Sequence, residues 1–224
     1  MTAGAGRQRG FALLAVLWIS VLLGLLAAGL LAETATETRL ARNLVEGAKA
    51  RALAEAGVAL ALQRLAGGEE AEALVPDGRA YPFAYGEGAI VVSVQDEGGK
   101  INLNQAAPDL LAALFLALGA DEELARRLAD AVVDWRDADA VRGPAGAEEA
   151  DYLAAGLGWL PRNAPFQAID ELRLVIGMPA ALAARAAPLV TVHSRSERVD
   201  PMTAPAAVLL ALPGARPAEV EAWL

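Results

Sequence analysis

Six carboxylates stand within 18 residues in the stretch VVDWRDADAVRGPAGAEEADYL, residues 132–153: Asp134, Asp137, Asp139, Glu148, Glu149 and Asp151. Gly143, Pro144 and Gly146 divide them into two groups and give the chain between freedom to fold one group onto the other. Oxygen ligands without His or Cys suit a hard cation, and Ca2+ accepts about six to eight oxygens in loose geometry. Counted from Asp137, Asp139 falls at position 3 and Glu148 at position 12 of an EF-hand-like loop. Val141 and Arg142 hold positions 5 and 6, where that loop needs Asp or Asn and then Gly, so the stretch is not an EF-hand. On spacing alone a solvated acidic loop stands beside the calcium reading, and it is the commoner use of a surface charge run.

Catalytic chemistry has little else to draw on. There is no cysteine, which removes disulfides, thiol catalysis and thiolate metal sites. His193 is the only histidine, and no Gly-x-Ser-x-Gly marks a nucleophile. GAGRQRG follows no strand and is not a nucleotide fingerprint. Asp134 and Asp137 are spaced as an acid pair could be, but a solvated helix face shows the same spacing. The expectation is a protein that is not an enzyme.

Charge narrows the partners. The chain carries −9 overall, yet both Arg7 and Arg9 precede Ala32 and every acidic residue follows it, which leaves −11 on the remainder. A surface that acidic repels phosphate backbones, so nucleic acid is not an expected partner.

The elements that must position the acidic loop begin with an apolar run. Phe11 to Ala32 is 22 residues without a charge, about 33 Å as a helix and enough for a hydrocarbon core of about 30 Å. It is longer than the apolar core of a cleaved signal peptide, the competing reading. Arg7 and Arg9 predict a cytoplasmic N-terminus, with the head on the other side of a single-pass span. Beyond ETATETR, Leu40, Leu44, Ala48, Ala52, Ala56 and Leu60 recur every four residues, so the helix is expected to continue to residue 66 and to end at Gly67–Gly68. RAYPFAY, AIVVSVQDE and KINLN then read as strands of a short meander needing the C-terminal half of the long helix for support. APDLLAALFLALG, DEELARRLADAVVDWRDAD, FQAIDELRLVIG and PAALAARAAPLVTV read as helices. A weak repeat superposes NLNQAAPDLLAAL, from Asn102, on DPMTAPAAVLLAL, from Asp200. Both units resemble helix-hairpin-helix elements, without the basic cluster of the DNA-binding kind.

RQRG followed by FALLAVLW resembles the leader of type IV pilins and type II secretion pseudopilins. The resemblance implies cleavage between Gly10 and Phe11 by the prepilin peptidase on the cytoplasmic side, and methylation of Phe11. The fifth mature position, a glutamate in most of that class, is Ala15. The minor pseudopilin K family characteristically lacks that glutamate. Its DW-x-D-x-D, GAE and Y elements match Asp134-Trp135, Asp137, Asp139, Gly146-Ala147-Glu148 and Tyr152. Its N-x-x-F and DELR elements match Asn163, Phe166 and Asp170-Glu171-Leu172-Arg173.

The resemblance implies a subunit at the tip of the type II secretion pseudopilus, where no subunit ahead calls for a carboxylate partner. Its expected partners are the minor pseudopilins I and J, and its setting is the bacterial inner membrane with a periplasmic head. It also implies calcium at the acidic loop, with Asp137, Asp139 and Glu148 as the stronger ligands and Glu149 and Asp151 as weaker ones. The alternatives are a membrane-anchored calcium-binding helical domain with no filament role, and a type IV minor pilin.

The expected fold is α+β: a long transmembrane and amphipathic helix packed on a small antiparallel sheet, with a large inserted α-helical domain of helix-hairpin-helix-like repeats. The expected division is leader 1–10, helix 11–66 with its span at 11–32, β head 67–103, helical insertion 104–198 and second repeat 199–224. The family closes its head with further helix and a final strand, so a chain reaching Leu224 inside a predicted helix is expected to be truncated.

Overall fold

The computed structural model describes residues 8–67, 74–86, 88–212 and 214–223. Most of the leader, Gly68 of the expected cap and Leu224 lie outside the described residues. The chain divides into two compact units, Met1–Leu60 with Phe83–Ile90 and Ala61–Pro82 with Val91–Leu224.

One helix, α1, runs from Gln8 to Leu65, 58 residues and about 87 Å at the α-helical rise. It contains no proline, and it runs unbroken through the Thr-rich ETATETR stretch. Its apolar part, Phe11–Leu30, is long enough to cross a membrane. Gly67, at φ +71°, follows the last turn in the left-handed conformation that glycine adopts without a Cβ penalty.

Strands β1 (Asp77–Tyr85) and β2 (Gly88–Gln95) form a two-stranded sheet. Their two-residue connection admits only antiparallel strands. On β2, Ile90 and Val92 are buried while Val91 between them is 69% exposed, the alternation of a one-sided sheet. At the hairpin tip a methyl group on Gly88 would lie 2.7 Å from Leu53 Cδ1 of α1, which places backbone of β2 directly against that side chain.

The third strand departs from the expected meander. β3 (Ile101–Asn102) pairs in parallel with β4 (Val190–Thr191), in the register Ile101 to Val190 and Asn102 to Thr191. The sheet expected as wholly antiparallel is therefore two separate pairs. A parallel pair needs a long crossover, and the chain between β3 and β4 is mostly helical. Ile101, Leu103 and Val190 are fully buried there.

That crossover holds α2 (Pro108–Ala117), α3 (Glu122–Arg136), α4 (Glu149–Ala154) and α5 (Ala180–Ala186). α2 and α3 form a hairpin turned by Gly119 at φ +84°, and Asp121 caps α3 by accepting the Leu124 N–H at 2.8 Å. Leu111, Leu114, Phe115, Val132 and Tyr152 are fully buried between these elements. FQAIDELRLVIG forms only a 3-10 stretch, Ile169–Leu174, because Glu171 accepts from the Gln167 and Ala168 N–H groups at its start. PAALAARAAPLVTV leaves α-helix geometry at Ala187, before Pro188, and ends as β4.

The repeat is visible in local geometry. Asn102 Oδ1 accepts from Asn104 N–H at 2.8 Å, and Asp200 Oδ1 accepts from Met202 N–H at 2.9 Å. After the second of these turns come α6 (Ala206–Ala211) and α7 (Pro217–Trp223), with Gly214 at φ +83° between them.

Candidate cation site

The C-terminal end of α3 and the start of α4 bring the first and last members of the acidic loop together. Asp137 caps the C-terminus of α3, its N–H donating to Val133 O at 3.0 Å. Asp139 stands two residues on and accepts the Val141 N–H at 2.8 Å. Glu148 is the residue before α4. Asp137, Asp139 and Glu148 each offer a carboxylate oxygen, and these oxygens lie within 4.8 Å of one another. Two oxygens on opposite sides of a calcium ion are about 4.6–5.2 Å apart, so the three fit one coordination sphere.

Burial adds a second observation. Glu148 is only 7% exposed, and both its carboxylate oxygens are buried without a hydrogen-bond partner, as is Asp137 Oδ1. A buried carboxylate with no donor is costly unless something positive reaches it. Burial pushes the Glu148 carboxyl above its usual range, and the charges of Asp134, Asp137, Asp139 and Asp151 push it further. Asp137 is pushed the same way by burial and by Asp139, with Arg136 opposing. The field around these oxygens is under-compensated, which is the condition a divalent cation relieves.

The two weaker candidates are placed differently. Asp151 Oδ2 accepts the Glu148 N–H at 3.0 Å and its Oδ1 pairs with Arg142 at 3.2 Å, so it caps α4. Glu149 is exposed in the first turn of α4.

Asp134 serves the loop in another way. Both its oxygens accept the Gly143 N–H at 3.1 Å. One turn earlier on α3, Asp130 Oδ2 accepts the Ala145 N–H at 2.9 Å. The sequence showed Asp134 as one carboxylate among six and gave Asp130 no part. Their spacing of four on one helix face, opposite a Gly-Pro-Ala-Gly loop, was the available signal. Around the loop, Trp135 stacks on Phe166 with centroids 6.0 Å apart and tilts against Tyr152 at 6.1 Å.

Residues 90–195, just under half of the chain, match the family model for protein K of the type II secretion system. Type II secretion system protein K of Klebsiella pneumoniae is 34% identical over 205 residues, covering 82% of this chain and 62% of that protein. The Pseudomonas aeruginosa protein of the same name is 30% identical over 190 residues, 75% of this chain and 57% of its own length. That of Aeromonas hydrophila is 30% identical over 218 residues, 82% and 63%. The chain thus spans about three-fifths of the length of these curated relatives. Among solved structures, the GspK-GspI-GspJ complex from the type 2 secretion system of enterotoxigenic Escherichia coli holds a chain that superposes with a TM-score of 0.56 at 23% identity, covering 76% of this chain and 67% of that one. At that identity the likeness is one of fold. The resemblance to protein K drawn from the leader and the acidic loop is borne out.

Proposed function

We propose that this relative of type II secretion system protein K is a minor pseudopilin, anchored in the inner membrane by α1 and seated at the tip of the pseudopilus with the minor pseudopilins I and J as neighbours. The observation that carries the reading is the unbroken run of α1 from its apolar span to Leu65. A simple anchor needs only the apolar part, whereas a filament subunit uses both halves to pack beside others. The relatives' names and the fold likeness support the same assignment.

On this reading Arg7 and Arg9 hold the N-terminus in the cytoplasm, the prepilin peptidase cuts between Gly10 and Phe11, and Phe11 is methylated. Ala15 leaves the subunit without the carboxylate that would accept a neighbour's ammonium in lipid, where an unpaired charge costs about 3 kcal/mol or more. Such a subunit belongs where nothing stands ahead of it. The α2–α3 and α6–α7 hairpins are read as helix-hairpin-helix units with a structural rather than a nucleic-acid role, and the protein acts by assembly rather than by catalysis. Asp137, Asp139 and Glu148 would hold Ca2+, whose charge would offset their mutual repulsion and tie α3 to α4.

Mass spectrometry of the mature N-terminus, from host membranes with and without the prepilin peptidase, tests the proposal. A start at methylated Phe11 that is lost without the peptidase is expected. A start near residue 33, or an intact Met1 in both strains, overturns it.

A further inference from the structure

Asp134 lies beside the three clustered carboxylates, yet its oxygens are already engaged. It is 2% exposed, and both its oxygens accept the backbone N–H of Gly143, in the loop that leads into Glu148. The loop wraps it closely. A methyl group on Gly146 would come within 2.0 Å of Asp134 Oδ2, and one on Gly143 within 3.0 Å of Oδ1. Gly146 N–H also closes a turn onto Gly143 O at 3.2 Å, and Arg142 Nε donates to Gly146 O at 2.9 Å. Each of these contacts is made by protein groups alone. Immediately after them comes Glu148, more than nine-tenths buried, with both oxygens unpartnered and one of them within reach of Asp137 and Asp139.

We propose that Asp134 is the positioning residue of the cation site: it folds loop 143–147 around its carboxylate without any ion, and so delivers Glu148 to Asp137 and Asp139 before a cation arrives. The inference rests on the calcium reading for the identity of the ion, but the folded loop it asserts does not depend on calcium. A preformed loop spares the ion the ordering of five residues, and outer groups that orient ligands in this way are worth about 10–100-fold in metal affinity. Gly146 is part of the same device, since any side chain there would displace the carboxylate.

Two measurements on the full chain in detergent test it. Hydrogen–deuterium exchange of the peptide covering residues 141–150, in EDTA, reads the loop; calcium titration by calorimetry reads the site. The wild type is expected to be protected in EDTA. Asp134→Asn is expected to lose that protection and to bind calcium at least about tenfold more weakly. Gly146→Ala keeps every charge and is expected to do the same, which separates positioning from loss of a negative neighbour. If Asp134→Asn does not fold, Gly143→Ala, a milder intrusion, is expected to weaken binding in the same sense. A wild-type loop that exchanges freely in EDTA and is protected only by calcium overturns the proposal, as do Asp134→Asn and Gly146→Ala proteins with wild-type affinity. A protected loop in a protein that binds no calcium overturns the calcium reading and supports the ion-independent clamp.

Discussion

The Asn104 side chain and the Phe166 backbone are joined by two hydrogen bonds: Nδ2 donates to Phe166 O at 3.0 Å, and Oδ1 accepts the Phe166 N–H at 2.7 Å. The amide thus stands in for a neighbouring strand, satisfying both backbone groups of a residue whose ring stacks on Trp135. It ties Phe166, and through it the Trp135 ring, to the segment just after β3.

Asn104→Ala leaves both Phe166 groups without that partner in a partly buried setting. Each such loss costs about 1–3 kcal/mol, so urea unfolding is expected to show a loss of about 2–4 kcal/mol. Asn104→Asp keeps the acceptor and removes the donor, and is expected to fall between wild type and Ala.

Two glycines separate a rigid neighbour from a flexible one. At Gly99, which is buried, an added methyl group would meet Thr203 O at 2.3 Å, and that obstacle is backbone. At Gly88 it would meet the end of the Leu53 side chain, which can change rotamer. Gly99→Ala is expected to cost about 3 kcal/mol or more and Gly88→Ala about 1 kcal/mol or less, as read by the shift in denaturation midpoint.

Calcium is expected to raise the melting temperature, since a ligand bound only to the folded state at a hundred times its Kd adds about 2.7 kcal/mol. Glu148→Gln is expected to remove that increment. Measured in EDTA, the same variant should melt at or above the wild type, because it replaces a buried carboxylate that lacks a partner. A variant that melts lower in EDTA yet keeps the calcium increment would count against Glu148 as a ligand.

Tyr152 supplies a test in alkali. Its ring is fully buried, its oxygen accepts the Ile176 N–H at 3.0 Å, and burial pushes its hydroxyl up to about 12. Below pH 10 both folded and unfolded chains keep the proton, and stability does not depend on this group. Between about pH 10 and 12 the unfolded chain loses it first, so stability falls, by about 2–3 kcal/mol across the window. Denaturant melts at pH 9 and pH 11 should show a steeper loss in the wild type than in Tyr152→Phe.

The parts of the molecule set by local pattern were legible in the residues. An uncharged run and a four-residue apolar repeat gave α1, and Asp121 marked the start of α3. The trio Asp137, Asp139 and Glu148, which the structure brings within reach of one another, was singled out by the resemblance to the pseudopilin K family, because their spacing alone fits a solvated acidic loop as well as a cation loop. What stayed hidden depends on distant chain. β3 is two residues long and its partner lies at residue 190, so nothing near Ile101 distinguishes a parallel pair from a meander. The 3-10 stretch at Ile169 hid behind a helical pattern because Glu171 turns back onto its own backbone. Asp134 read only as one carboxylate among six, and it is the direction of the Gly143 amide that gives it its own task.

Because β3 and β4 run side by side in the same direction, the chain leaves past Asn102 at one end of the pair and must travel back to the other end to enter at Val190. That detour is not self-contained: α2 within it packs on α6 beyond β4, so Leu111 and Phe115 share one core with Val208 and Leu209. Cutting the detour out would strip α6 of the surface it is buried against, so the two repeats stand or fall together.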